Sequence, residues 1–162
     1  MRKIELRGIR GKDKFALIDN EDYEYLSQFK WYFSGRYIYR VEYKHEYENR
    51  KRKIIKMHRL INQTPKNFDT DHRDNNTFNN QKNNLRTCTR KQNAQNQKLS
   101  KNNISGYKGV YWAKANKKWA GRIYINGKRI FLGVFDFPEF AAIAYNLAAK
   151  KYFGEFARLN EI

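Results

Sequence analysis

The sequence predicts an α+β protein in two parts, an N-terminal β platform with a polar loop and a short helix, then a three-stranded antiparallel sheet packed on one helix. Three observations carry this. Short apolar runs punctuated by glycine fill the chain from Ile4 to Tyr43. Two alternating runs flank Asn126-Gly127, the strongest short-range hairpin signal, because both central positions of a type I′ turn need positive φ. An alanine-rich segment at 138–153 has both a helix start and a helix stop.

Taken in order, residues 4–6, 15–18 and 37–41 read as strands separated by Gly8, Gly11 and Gly35, forming a small antiparallel platform. Asp19-Asn20-Glu21-Asp22 ends the second strand and caps a helical turn over residues 23–29. Residues 46–53 are charged and read as a solvated hairpin tip, and 54–61, apolar at 54, 55, 57, 60 and 61, as a helix ending before Pro65. Asn and Asp dominate 71–84, which makes a compact loop. A brief strand follows at 85–89, then a polar helix opened by Thr89 and running to Gln97. The polar stretch 99–105 is the linker, with the boundary near residue 102 and domains at 1–101 and 102–162.

Beyond it, residues 110–112, 119–125 and 130–135 are strands, with a turn at Ala115-Asn116. Asp136 supplies an N-cap acid, Pro138 an early helical proline and Glu139 an acid three residues after Asp136, starting a helix that stops at Gly154. Its alanines let its backbone lie close on the sheet, with Tyr145 and Tyr152 filling the edges. In the middle strand Trp119, Gly121, Ile123 and Ile125 fall on one face, for the helix, and Lys118, Ala120, Arg122 and Tyr124 on the other.

The 162 residues carry 34 Lys and Arg against 16 Asp and Glu, a net charge of +18 and a pI near 10.0. The partner is therefore a polyanion, and nucleic acid, an anionic membrane and a polyacidic protein all qualify on charge alone, since each rewards neutralisation and counterion release. No Asp or Glu lies between Asp74 and Asp136, a gap holding thirteen Lys and Arg, Lys101 among them, that marks the binding footprint. Hydrophobic residues at 40% with 16% aromatics exclude disorder throughout. A single cysteine, Cys88, excludes an intrachain disulfide and a Cys-rich zinc module and reads as a small buried side chain. No apolar run approaches the ~20 residues of a membrane span, and the start of the chain lacks a signal-peptide core.

A metal-dependent nuclease needs a base for water, oxygen ligands for a hard cation and a group orienting the base. Residues 71–96 offer these: Asp71 beside His72, then Asn84, Asn93 and Asn96. His58, with Met57 and Leu60, reads as a packing or phosphate-contacting residue, and His45 is given no role.

MHRLI at 57–61, DHRDNNTFNNQKNNLRTCT at 71–89 and QNAQN at 92–96 closely resemble phage-type HNH homing endonucleases, over most of residues 1–98. The resemblance implies a ββα-metal motif at about 57–98, His72 as general base, Asp71 and Asn93 as ligands of a divalent cation, and Asn84 fixing the loop and the orientation of His72. The cation is Mg²⁺ or, alternatively, Mn²⁺. Asn75 stands where that family often has Gly, a position suited to Asn at positive φ.

YKGV at 107–110, KWAGRI at 118–123, GKRIFLGVFDFPEFAAIAY at 127–145 and FGEFARLN at 153–160 resemble the plant ethylene-response-factor (Apetala) DNA-binding domain. Positions matching its DNA contacts are Lys108, Tyr111, Arg122, Tyr124, Arg129 and Phe131; several differ in type, so target sequence does not transfer. Together these imply a sequence-directed, homing-type endonuclease acting on double-stranded DNA, a monomer on DNA needing no small-molecule cofactor and no membrane, in the cytoplasm of a bacterial or phage-infected cell. The rival readings are a non-catalytic DNA-binding transcriptional regulator and an RNA-binding protein.

Overall fold

A computed structural model describes residues 1–46, 49–100 and 102–162, so Lys101 of the basic stretch and the centre of the expected 46–53 tip lie outside the described residues. The chain divides into two compact units, Met1–Asn93 and Ala94–Ile162. It is mixed α+β, with four α-helices among the described residues.

In the first unit, Arg2–Arg7 (β1), Phe15–Ile18 (β2), Trp31–Phe33 (β3), Ile38–Glu46 (β4) and Asn49–Lys56 (β5) form one sheet, ordered β2-β1-β3-β4-β5. The platform is not wholly antiparallel. β1 and β3 run parallel, with Leu6 opposite Trp31, because Asn20–Leu26 (α1) carries the chain back so that β3 joins β1 on the edge away from β2. Trp31 is fully buried, and its indole N–H donates to the Leu26 carbonyl at 2.9 Å, which seats α1 on the core with Ile4, Leu6, Ile18, Ile38 and Met57.

The helix expected over 54–61 is shorter. Residues 54–56 finish β5, where Val41 faces Ile54 and Arg40 faces Ile55, and only Met57–Ile61 (α2) is helical. β-Branched Ile54 and Ile55 find cross-strand partners in β4, and those outweigh the local apolar period. Much of the expected solvated tip is likewise strand. Asp69–His72 (β6) and Leu85–Cys88 (β7) then pair as a hairpin, followed by the short helix Arg90–Gln95 (α3), whose last two residues belong to the second unit.

In the second unit, Val110–Ala113 (β8), Lys118–Ile125 (β9) and Lys128–Phe135 (β10) form an antiparallel sheet ordered β10-β9-β8, packed on the helix Pro138–Phe153 (α4). Asn126 and Gly127 both have positive φ, 53° and 78°, as the hairpin signal requires. Ala141, Ala142 and Ala149 are buried against the sheet, and Tyr145 lies in the core rather than at its edge. It closes over Gly109, where a Cβ would strike the Tyr145 ring and come within 2.7 Å of the Arg122 carbonyl. The expected N-cap moves by one: Phe137 holds that position, and the Asp136 carboxylate pairs instead with Lys118 at 2.9 Å. None of the helices is long and apolar enough to cross a membrane among the described residues.

Candidate active site

Strand alternation on β6 sorts the candidate residues onto two faces: Asp69 and Asp71 on one, Thr70 and His72 on the other. On the first face Asp71 lies opposite Arg86, whose Nε and a terminal nitrogen donate to Asp71 Oδ2 at 2.9 and 2.7 Å, both side chains being buried. Both bonds converge on one oxygen, so the guanidinium fork holds Oδ2 in place. Cys88 sits on the same face, and burial, then the charges of Asp71 and Asp69, push its thiol up to about 11.

Asn93 reaches this face from α3. Thr89 opens that helix with a reciprocal cap, its hydroxyl accepting from the Gln92 N–H at 3.2 Å while the Gln92 carboxamide oxygen accepts from the Thr89 N–H at 2.8 Å. The Asn93 amide nitrogen then donates to Asp69 Oδ2 at 3.3 Å, so of the two ends of the amide the oxygen is the one able to ligate a cation. Asn93 is thus anchored two residues from Asp71 along the same strand face. Carboxylate and amide oxygens are hard donors, and two protein ligands are the complement Mg²⁺ takes when waters and phosphate oxygens complete its shell, so the residues fit the implied cation. The described residues hold no cluster of three His, Cys, Asp or Glu that would mark a closed structural metal site.

On the second face His72 is buried with its ring edge-on to His58 at 5.2 Å, and His58 stacks on Tyr37 at 4.8 Å. Burial lowers the imidazole pKa of His72 below its ordinary value, opposed by the hydrogen bond to Asn80 and the charges of Asp74 and Asp71. The ring is therefore neutral at neutral pH. His58, pushed down to about 3 by burial and then by His72, Lys56 and Arg59, is neutral too and acts as packing.

The loop between the hairpin strands is tied by side chains. Asn84 donates to Asp74 Oδ1 at 2.9 Å and to the Asn79 carbonyl at 2.8 Å, and its oxygen accepts from the Asp74 N–H at 3.1 Å. It fixes the loop, whereas the residue on the His72 ring is Asn80, with Oδ1 at 3.3 Å from Nε2. Asn75 takes φ 58°, the left-handed conformation expected of it. Reading the sequence missed Asn80, Arg86 and Asp69. Opposition of Asp71 and Arg86 becomes visible only once the hairpin register is known, and Asn80 stood hidden among like neighbours in an Asn-rich run.

On the sheet of the second unit, Ala120 faces Tyr111, Arg122 faces Phe131 and Tyr124 faces Arg129, placing the expected contact residues on the side away from α4. The Arg122 guanidinium lies 4.6 Å from the Tyr111 ring centre and 5.7 Å from that of Tyr124. Tyr124 and Phe131 are exposed. Lys108 is placed differently: its ammonium donates to the Gln95 and Gln97 carbonyls at 2.6 and 2.9 Å, and burial lowers its pKa to about 8.

A buried neutral histidine and oxygen donors carried by one β-hairpin and a short helix, and in the second unit a basic and aromatic sheet face, are features of the nucleic-acid-processing class. The chain belongs to the HNH endonuclease family: it is 33% identical over 159 residues, 94% of this chain and 78% of the relative, to an uncharacterized HNH endonuclease of Acanthamoeba polyphaga mimivirus. It is also similar to Protein 3.8 of Escherichia phage T7, 34% identical over 119 residues, covering 74% of this chain and 98% of that one. A third similarity, 46% over 56 residues, is to an ethylene-responsive transcription factor of Arabidopsis thaliana, spanning 33% of this chain and 30% of the factor. No family model matches the chain.

Proposed function

We propose that this protein is a metal-dependent, sequence-directed DNA endonuclease of the homing type, whose β6–β7 hairpin and α3 form a ββα-metal centre. One observation carries the reading: buried, neutral His72 shares a single hairpin with Asp71 and with the anchor of Asn93. A neutral imidazole can take a proton from the attacking water, and the carboxylates of Asp71 and Asp74 stabilise the imidazolium that results. Asp71 and Asn93 would hold the divalent cation, Mg²⁺ or Mn²⁺. When bound, the cation offsets the negative charge that builds on the phosphate and the departing 3′ oxygen. Arg86 holds Asp71 through Oδ2, and Asn84 ties the loop through Asp74 and Asn79.

The sheet of the second unit supplies site choice and affinity by tethering, with Tyr111, Arg122, Tyr124, Arg129 and Phe131 toward double-stranded DNA. The similarity to a plant transcription factor supports DNA as the partner. A single centre on a monomer nicks one strand.

The test is supercoiled plasmid incubated with protein and Mg²⁺, with His72→Ala and EDTA as controls. The wild type should convert it to the nicked form, the variant at least about a hundredfold more slowly. Plasmid left supercoiled by a folded wild type that still shifts duplex DNA in a gel would sink the enzymatic reading in favour of a regulator.

A further inference from the structure

We infer that Asn80 is a positioning residue that locks the tautomer of His72, placing the ring proton on Nε2 and leaving Nδ1 as the nitrogen that accepts the proton of water. The inference rests on the proposed role of His72 as base and adds which nitrogen acts and what selects it.

Only one orientation of the Asn80 amide satisfies its surroundings. The side chain is almost fully buried, and its nitrogen donates to two backbone carbonyls, Thr77 O at 3.1 Å and Phe78 O at 3.3 Å. Carbonyls can only accept, so the NH₂ group must face them and Oδ1 must face the imidazole. An amide oxygen can only accept as well. Nε2, at 3.3 Å, is therefore the donor, and in a neutral imidazole the other nitrogen then carries the lone pair. The reverse tautomer would set two lone pairs against each other in a buried site.

The lock is itself held from outside the hairpin. The Asn80 N–H donates to the Leu17 carbonyl and the Leu17 N–H to the Phe78 carbonyl, both at 2.8 Å, so the segment carrying Asn80 is bridged to β2. Asp19 accepts from Gln81 Nε2 at 3.0 Å and from the Lys82 N–H at 2.8 Å, and Phe33 packs on Phe78 with ring centres 4.7 Å apart. Asn84 closes the same loop through Asp74 and Asn79. Two asparagines thus divide the work: Asn84 holds the loop, and Asn80 reads the ring.

Long-range ¹⁵N–¹H correlation spectra of the full chain, labelled at histidine nitrogens and recorded near pH 8 (about 1.5 units above the ordinary histidine pKa), test this. His72→Gln assigns the resonances. The wild type should show His72 almost wholly as the Nε2–H form, and Asn80→Ala a mixture of both forms. In plasmid nicking, Asn80→Ala should lower kcat about tenfold to a hundredfold with KM little changed. An Nδ1–H ring in the wild type overturns the inference without any variant, so a failure of Asn80→Ala to fold does not shield it. A folded Asn80→Ala with the tautomer unchanged overturns it too. The spectra do not depend on cleavage: a locked Nε2–H ring in a protein that never nicks DNA leaves this inference standing and removes the proposed activity.

Discussion

Replacing Arg86 with methionine keeps the length of the side-chain stem and removes the charge that faces Asp71. Both partners are nearly inaccessible, with side-chain exposures of 7% and 6%, so water cannot take the place of the guanidinium. Breaking one side of such a buried pair costs about 3–5 kcal/mol. Counting from the bonds gives a similar figure, since two charge-assisted hydrogen bonds at about 1.5–3 kcal/mol each total about 3–6 kcal/mol. For a unit the size of Met1–Asn93, each kcal/mol shifts Tm by about 4–8 °C, so a loss near 4 kcal/mol lowers it by at least about 15 °C. Circular dichroism melts and urea titrations with an unchanged m value would measure this. Adding Asp71→Asn to Arg86→Met should restore about half the loss, because the pair, rather than either residue, is the energetic unit. A single Arg86→Met variant melting within about 4 °C of the wild type would refute the argument, since that corresponds to less than about 1 kcal/mol.

Other outcomes follow from features elsewhere. His58 has a folded pKa of about 3 against an ordinary value of 6.5, so the unfolded state binds more protons between those values. Stability is fully present above about pH 6.5 and is lost as pH falls toward 3, by at most about 5 kcal/mol at 1.36 kcal/mol per unit, with His72 acting in the same direction. His58→Phe should flatten that slope in unfolding titrations run from pH 7 to 4; an unchanged slope would reject the burial of a neutral ring. Gly109→Ala meets the buried Tyr145 ring at φ 80°, and should cost the second unit at least about 3 kcal/mol in a thermal melt. Arg122→Ala and Arg129→Ala should each weaken duplex binding and flatten the plot of log K against log salt by about 1 in fluorescence anisotropy. Mg²⁺ at about ten times its Kd should raise wild-type stability by about 1.4 kcal/mol, an effect that EDTA reverses and Asp71→Ala abolishes.

The second unit was the more legible half. Its strands, the Asn126-Gly127 turn, the sorting of Trp119 and Ile123 from Arg122 and Tyr124, and the helix stop at Gly154 are all set by local chemistry. Non-local contacts decided what was missed. Trp31–Phe33 carries no alternation, and it becomes a strand because Leu6 and Tyr39 offer it edges on both sides. Asp136 resembled a cap until Lys118, across the sheet end, claimed its carboxylate. In the candidate site the residue types were readable at Asp71, His72, Asn84 and Asn93, since each bears chemistry of its own. Partners were not: Asn93 meets Asp69, and Asn80 rather than Asn84 meets the imidazole, choices made by the pitch of α3 and the path of the loop.

The bridge from β2 to the loop has a bearing on how such a chain can be cut and recombined. A fragment beginning at Met57 would carry every residue with chemistry in it, yet it would lack Leu17, Asp19 and Phe33, which hold the loop from outside. The β6–β7 hairpin is therefore not a portable cassette. Any exchange that moves it to a new host chain must bring the first two strands along or replace their grip, so the unit of inheritance is larger than the motif that names the family.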